Sequence, residues 1–196
     1  KVFFKDFRAY YGPLFALFQV PFYDYFGSNH WALLISRHIV MPLLSLVLAH
    51  LYIRVFVGVP WLRIIFILVC LFHLTVGQYT SPRHLCAELT LALFSFCLIR
   101  PEKKVWIFLT GIMQGVSILM GTEYGIALFI TLTGALILFA ISDNKIYAKN
   151  LLRLFLLGLL TSLFPFILYL IYHGVLFDFI IDYYLHIASH AQVAGR

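Results

Sequence analysis

Charge is scarce in this sequence: only 11% of its 196 residues are Asp, Glu, Lys or Arg, against roughly 25% in an ordinary soluble domain. With 63% of the residues hydrophobic, so few charges cannot build a water-facing shell, which excludes a water-soluble fold. Cysteine is also rare. Cys70, Cys86 and Cys97 each fall inside an apolar run with no pairing motif, so neither a disulfide framework nor a thiolate metal site is indicated. There is no phosphate-binding glycine loop, dinucleotide fingerprint or hydrolase elbow, so nucleotide chemistry is not indicated. Internal repeats and low-complexity segments are absent. The net charge of +6 does not point to nucleic acid, because the basic residues come singly or in short clusters and form no stripe.

What is present is apolar length. A bilayer core of roughly 30 Å needs about 20 residues of helix. Six stretches meet or approach that: about His30 to Phe56, Trp61 to Tyr79, Arg83 to Ile99, Val105 to Met120, Tyr124 to Ile141 and Leu151 to Tyr172. The first two are joined by Val57-Gly58-Val59-Pro60, a proline-stopped turn that makes a helical hairpin. The expected fold is an all-α, polytopic transmembrane bundle of about six spans with interfacial helices at its outer surface.

Lysine and arginine set the orientation. Arg54, Arg63, Arg100, Lys103, Lys104, Lys145, Lys149 and Arg153 fall in alternate loops, which marks that side as cytoplasmic. Both chain ends and the turns at 81–83 and 121–123 then lie on the far side. Residues 1–29 read as an external loop, 30–172 as the bundle and 173–196 as an external interfacial segment. Within the first, Gly12-Pro13 and Pro21 bracket a short surface helix, Pro13 to Val20, rich in aromatics suited to the headgroup region. Lys1, Lys5 and Arg8 break the positive-inside trend. The chain opens on Lys1 without a three-part signal peptide, so it is expected to be a piece of something longer.

Ionisable residues within spans are functional candidates by default. Arg37 lies about two turns below the outer end of the first span, and Glu88 about one and a half turns below that of the third. Arg83 and Glu123 occupy outer turns, and Asp6 and Arg8 share that aqueous face. Such a set can hold a phosphate and supply a carboxylate base. Internal ion pairs, for example Arg37 with Glu88, are the competing explanation. His38, His50 and His73 within spans read as hydrogen-bonded core or interface residues and not as ligands. His84, His173, His186 and His190 sit near the outer face, where histidine is common in any case.

Three segments carry a family resemblance. Lys5-Asp6-Phe7-Arg8-Ala9-Tyr10-Tyr11-Gly12-Pro13-Leu14, with Phe26-Gly27 and then Arg37, resembles the first external loop and second span of GT-C type membrane glycosyltransferases. Leu109 to Gly115, leading to Gly121-Thr122-Glu123-Tyr124-Gly125, is similar to their glycine-rich span ending in an acidic turn. Gly174 to Asp182 resembles their later external segment. The branch with the lipid A aminoarabinose transferases and protein O-mannosyltransferases is the nearest in pattern. That family's first span, later spans and soluble C-terminal domain have no counterpart here.

The resemblance implies inverting transfer of a sugar from a polyprenyl-phosphate donor to a glycan, lipid or protein acceptor, at the extracytoplasmic face of the plasma (inner) membrane. It makes Asp6 the base and Arg8, Arg37 and Arg83 the donor-phosphate ligands, with Glu123, Glu88 and His84 positioning substrate. No cofactor beyond the lipid-linked donor is expected. With a single carboxylate in the first external loop, a divalent metal is not favoured. The rival is a secondary transporter or flippase. It would place its binding groups near the midplane on broken helices, often with inverted repeats, whereas these charges lie toward one surface.

Overall fold

The computed structural model describes residues 13–27, 30–58, 60–65, 67–68, 82–100, 102–142 and 145–181. Asp6, Arg8, most of the expected second span and the final residues fall outside them. The described chain is all-α, without a strand.

Helix α1 covers Pro13–Phe26. The sequence reading ended it at Val20, and that boundary is corrected. Pro21 removes one N–H and one helical bond, but it sits on the exposed side, where the loss is smallest. The Phe18 and Phe22 rings meet across it at 5.7 Å. The helix instead stops at Gly27, whose φ of 78° is a left-handed value that glycine adopts without penalty.

The expected first span is one helical run of three parts: α2 (His30–Ile35), a π-turn (Ser36–Val40) and α3 (Met41–Phe56). The wide turn has a local cause. Pro42 has no N–H to offer the carbonyl four residues back, and the Met41 N–H bonds the Ser36 carbonyl, five back. After Phe56 the chain extends at Val57, and helix resumes at residue 60. The Arg63 Nε donates to the Val57 carbonyl at 2.6 Å, tying the resumed helix to the end of the one before it.

Four longer helices follow: α4 (Pro82–Ile99), α5 (Val105–Met120), α6 (Thr122–Ser142) and α7 (Lys145–Tyr172). Among the described residues, three segments are long and apolar enough to cross a membrane: Pro82–Ile99, Thr122–Phe139 and Lys149–Tyr172. That is fewer than the six spans expected. At 16 residues, about 24 Å, α5 is short for a hydrocarbon core, and the 30–56 run is interrupted by its π-turn. Even so, α5 is the central helix, packed against α4, α6 and α7 and joining one end of the bundle to the other. Helix α1 leans on α4 and α5.

The core is a layer of Phe94, Cys97, Ile107, Leu128, Leu132, Leu136, Leu151 and Phe155, drawn from all four long helices. Between lipid-facing helices apolar burial gives little drive, so close packing of small residues must hold them. The α5–α7 seam does this with glycine. A Cβ on Gly111 would overlap the Phe155 carbonyl, one on Gly158 the Phe108 carbonyl, and one on Gly115 the Ser162 side chain. Backbone therefore rests on backbone. Helix α7 ends at Gly174 (φ 66°), where the Val175 N–H bonds the Leu170 carbonyl and the Gly174 N–H bonds that of Ile171. This is a Schellman cap, and Val175 then packs on Leu170 as that motif favours. The chain from 175 to 181 thus folds back on the helix end.

Candidate functional site

One end of the bundle gathers the first turn of α4 and the single-residue connection between α5 and α6. Pro82 starts α4, and a proline there loses no helical bond because the first-turn N–H groups lack partners anyway. This places Arg83 and His84 in the first turn. Across from them Gly121 is extended, and Thr122 begins α6 with its hydroxyl donating to the Ile118 carbonyl at 2.8 Å. Glu123 falls in the first turn of α6, where the helix dipole favours an anion.

The Arg83 Nη1 lies 3.5 Å from Glu123 Oε1, and its guanidinium carbon 5.2 Å from the centre of the Tyr124 ring. The His84 ring meets the same tyrosine edge to face at 4.7 Å. The Arg83 stem lies on Gly121, whose added Cβ would come within 2.6 Å of Arg83 Cβ. Glu123 is 47% exposed and Arg83 20%. A separation of 3.5 Å is long beside the roughly 2.7–2.9 Å of a tight charged pair, so the two ions are loosely held. Loose, half-wet pairs contribute little stability.

Arg83, Glu123 and His84 are therefore brought together. Glu88 is not part of the group. Five residues beyond Arg83, it points about 140° away around α4, toward α3. There its carboxylate approaches Ser45, whose buried Oγ makes no bond of full geometry. Arg37 is placed by its backbone in the π-turn. Asp6 and Arg8 lie outside the described residues. Among the described residues no three His, Cys, Asp or Glu side chains cluster as metal ligands.

Sequence reasoning named Gly121 and Tyr124 only as part of the glycine-rich acidic turn and gave neither a role. The tyrosine passes for an ordinary interfacial aromatic, and only its position directly after Glu123 sets it apart. Nor did it single out Gln114 within the Leu109–Gly115 motif, a fully buried amide whose Nε2 donates to the Gly125 carbonyl at 2.6 Å. A polar side chain in mid-span was the available signal.

Gly121 supports a first prediction. Gly121→Ala forces the Arg83 stem aside and should lower stability by about 1–2 kcal/mol, read as a shift in Tm in detergent. In an Arg83→Gly background, which removes the Cβ that a new methyl would meet at 2.6 Å, the same change should be close to neutral. A full cost in both backgrounds would show that Arg83 does not rest there.

No family model, curated protein or solved structure matches this chain.

Proposed function

We propose that the chain is the membrane-embedded part of a glycosyltransferase that moves a sugar from a polyprenyl-phosphate carrier to an acceptor at the Arg83 end of the bundle. The observation that supports this most is the loose Arg83–Glu123 pair beside Tyr124 and His84, a cation at the rim of an apolar helix bundle with an exchangeable partner. The opposite end carries Arg100, Lys103, Lys104, Lys149 and Arg153, all exposed, as a cytoplasmic face should. On this reading the Arg83 rim is extracytoplasmic.

The chemistry is a single displacement. The acceptor hydroxyl attacks the anomeric carbon, forming a new glycosidic bond. The bond from that carbon to the phosphate oxygen breaks, and its electron pair leaves with the polyprenyl phosphate. Asp6 takes the hydroxyl proton. Arg83, with Arg8 and Arg37, offsets the charge that grows on the departing phosphate, where fixed cations help most. Glu123 holds Arg83 between turnovers, and His84 positions substrate. The carrier's chain lies in lipid against the exposed apolar faces.

The test is transfer of labelled sugar from a polyprenyl-phosphate donor by the full-length protein in membranes. Asp6→Asn should reduce turnover about a hundred-fold, and Arg83→Gln about ten-fold, with helicity unchanged. Unchanged transfer in Asp6→Asn removes it as the base. Solute uptake into liposomes without any transfer favours the transporter and overturns the enzyme.

A further inference from the structure

Below the Arg83 rim, the facing sides of α4 and α5 carry polar side chains deep inside an apolar bundle. Two contacts fix how these helices align. The Arg83 stem rests on Gly121 at one end, and near the other the Phe96 ring stacks on Trp106 at 5.4 Å, so α4 and α5 run antiparallel. Thr90 lies seven residues along α4 from Arg83, and Gln114 seven residues back along α5 from Gly121. Seven residues are two turns, about 10.5 Å, and return to nearly the same face of a helix, so Thr90 and Gln114 face each other two turns beneath the rim. Ser117 stands between Gln114 and Gly121 on that side of α5, three residues from one and four from the other. All three side chains are fully buried.

This group is short of donors. The Gln114 Nε2 donates to the Gly125 carbonyl, but its Oε1 has no partner among the described residues, and neither has the Ser117 Oγ. The Thr90 hydroxyl donates to the Cys86 carbonyl at 2.7 Å, which leaves its oxygen only able to accept. Two acceptors therefore converge with a single hydroxyl free to donate, and a buried acceptor left bare is costly. An ion does not fit. Glu88 turns toward Ser45 and Glu123 lies at the rim, so no carboxylate balances a cation here, and no basic residue of α4 or α5 stands at this depth to balance an anion.

We infer that Gln114, Ser117 and Thr90 hold one buried water, which donates to Gln114 Oε1 and Thr90 Oγ1 and accepts from the Ser117 hydroxyl. Three bonds are typical of a structural water, and these three leave no polar atom of the group unpaired. Small side chains give it room: one turn before Thr90, α4 presents Cys86 and Ala87 opposite the serine. The water ties α4 to α5 at a depth where apolar burial gives little drive. It satisfies an oxygen but does not solvate a charge as bulk water does. In Gln114→Leu it leaves together with the oxygen it serves, Thr90 keeps its bond to Cys86, and the Ser117 hydroxyl turns to a carbonyl of its own helix. The inference rests on the helix alignment and not on the sugar-transfer reading.

The test is a structure of the full-length protein in lipid nanodiscs, at a resolution that shows ordered water, in sodium and in rubidium salts. A peak is expected within about 3.2 Å of all three oxygens, equally strong in both salts. It should be lost in Thr90→Val and in Gln114→Leu, and kept in Thr131→Val, which removes the same kind of hydroxyl from the exposed side of α6. Because Thr90→Val strands the Gln114 oxygen, it should also lower Tm by about 2–4 °C more than Thr131→Val in one detergent. No peak in the native protein overturns the inference, with the Ser117 hydroxyl then bonded directly to Gln114 or to its own helix. So does a peak that survives Thr90→Val or Gln114→Leu, or one that strengthens in rubidium, which would be a cation. Equal Tm losses in the two threonine variants also overturn it. Should Thr90→Val fail to fold, Gln114→Leu carries the test alone.

Discussion

Gly158→Val should be the most damaging single substitution in the bundle, lowering stability by about 3 kcal/mol or more, which for a chain of this size is roughly 6–12 °C in Tm. The argument rests on what blocks the new side chain. At Gly158 the nearest atom to an added Cβ is the Phe108 carbonyl oxygen, followed by the Ile112 nitrogen at 3.0 Å. At Gly111 it is the Phe155 carbonyl oxygen, followed by the Leu159 nitrogen at 3.0 Å. These are backbone atoms, and no rotamer change moves them. The two helices have to part.

Alanine gives the sharper comparison. By helix propensity alone, glycine to alanine in a helix interior gains about 1 kcal/mol. Gly134, in α6, has nothing within 4 Å of an added Cβ, so Gly134→Ala should be neutral or stabilising. Gly111→Ala and Gly158→Ala should destabilise despite the same propensity gain. Thermal unfolding of the three alanine variants in one detergent decides the matter. A rise in Tm for Gly158→Ala would mean that the helices are not in backbone contact.

The second large effect is expected at Gln114. Its side chain is fully buried, with Nε2 bonded to the Gly125 carbonyl and Oε1 without a partner. Gln114→Leu gives up one hydrogen bond, about 1 kcal/mol, and also removes the unpartnered oxygen, so the net change should be small. Gln114→Glu has almost the same shape and places an ionisable group in the middle of the bundle. That should cost about 3 kcal/mol or more, by analogy with a charge at a bilayer centre. Unfolding measured side by side should rank native, then Leu, then Glu. A glutamate variant as stable as the leucine one would place Gln114 in contact with bulk water.

The helices that hold the site were largely legible in the sequence. The span from Val105 to Met120 coincides with α5, because charges bound it on one side and Gly121 on the other. Arg83 and Glu123 were placed on one face by counting alternate spans, and their contact follows from α5 running the length of the bundle between them. Other features were hidden because they depend on packing across helices. Proline at 21 reads as a stop, yet α1 continues through it. The helical start of α7 at Lys145 was hidden by the polarity of 145–150, since an exposed helical turn and a polar loop share a composition. Glu88 reads as a member of the outer charged set until its angle around α4 is known. The π-turn at Ser36–Val40 is visible only in hindsight, from Pro42.

The glycine seam also decides which parts of the molecule are free to move. Because α5 and α7 meet backbone to backbone, sliding one along the other would drive carbonyl oxygens into the opposing chain, so the two behave as a single beam. On the sugar-transfer proposal, a widening at the Arg83 rim would come from α4 or α6 swinging away from that beam. Gly121, under the arginine stem, is the fulcrum on which either would turn.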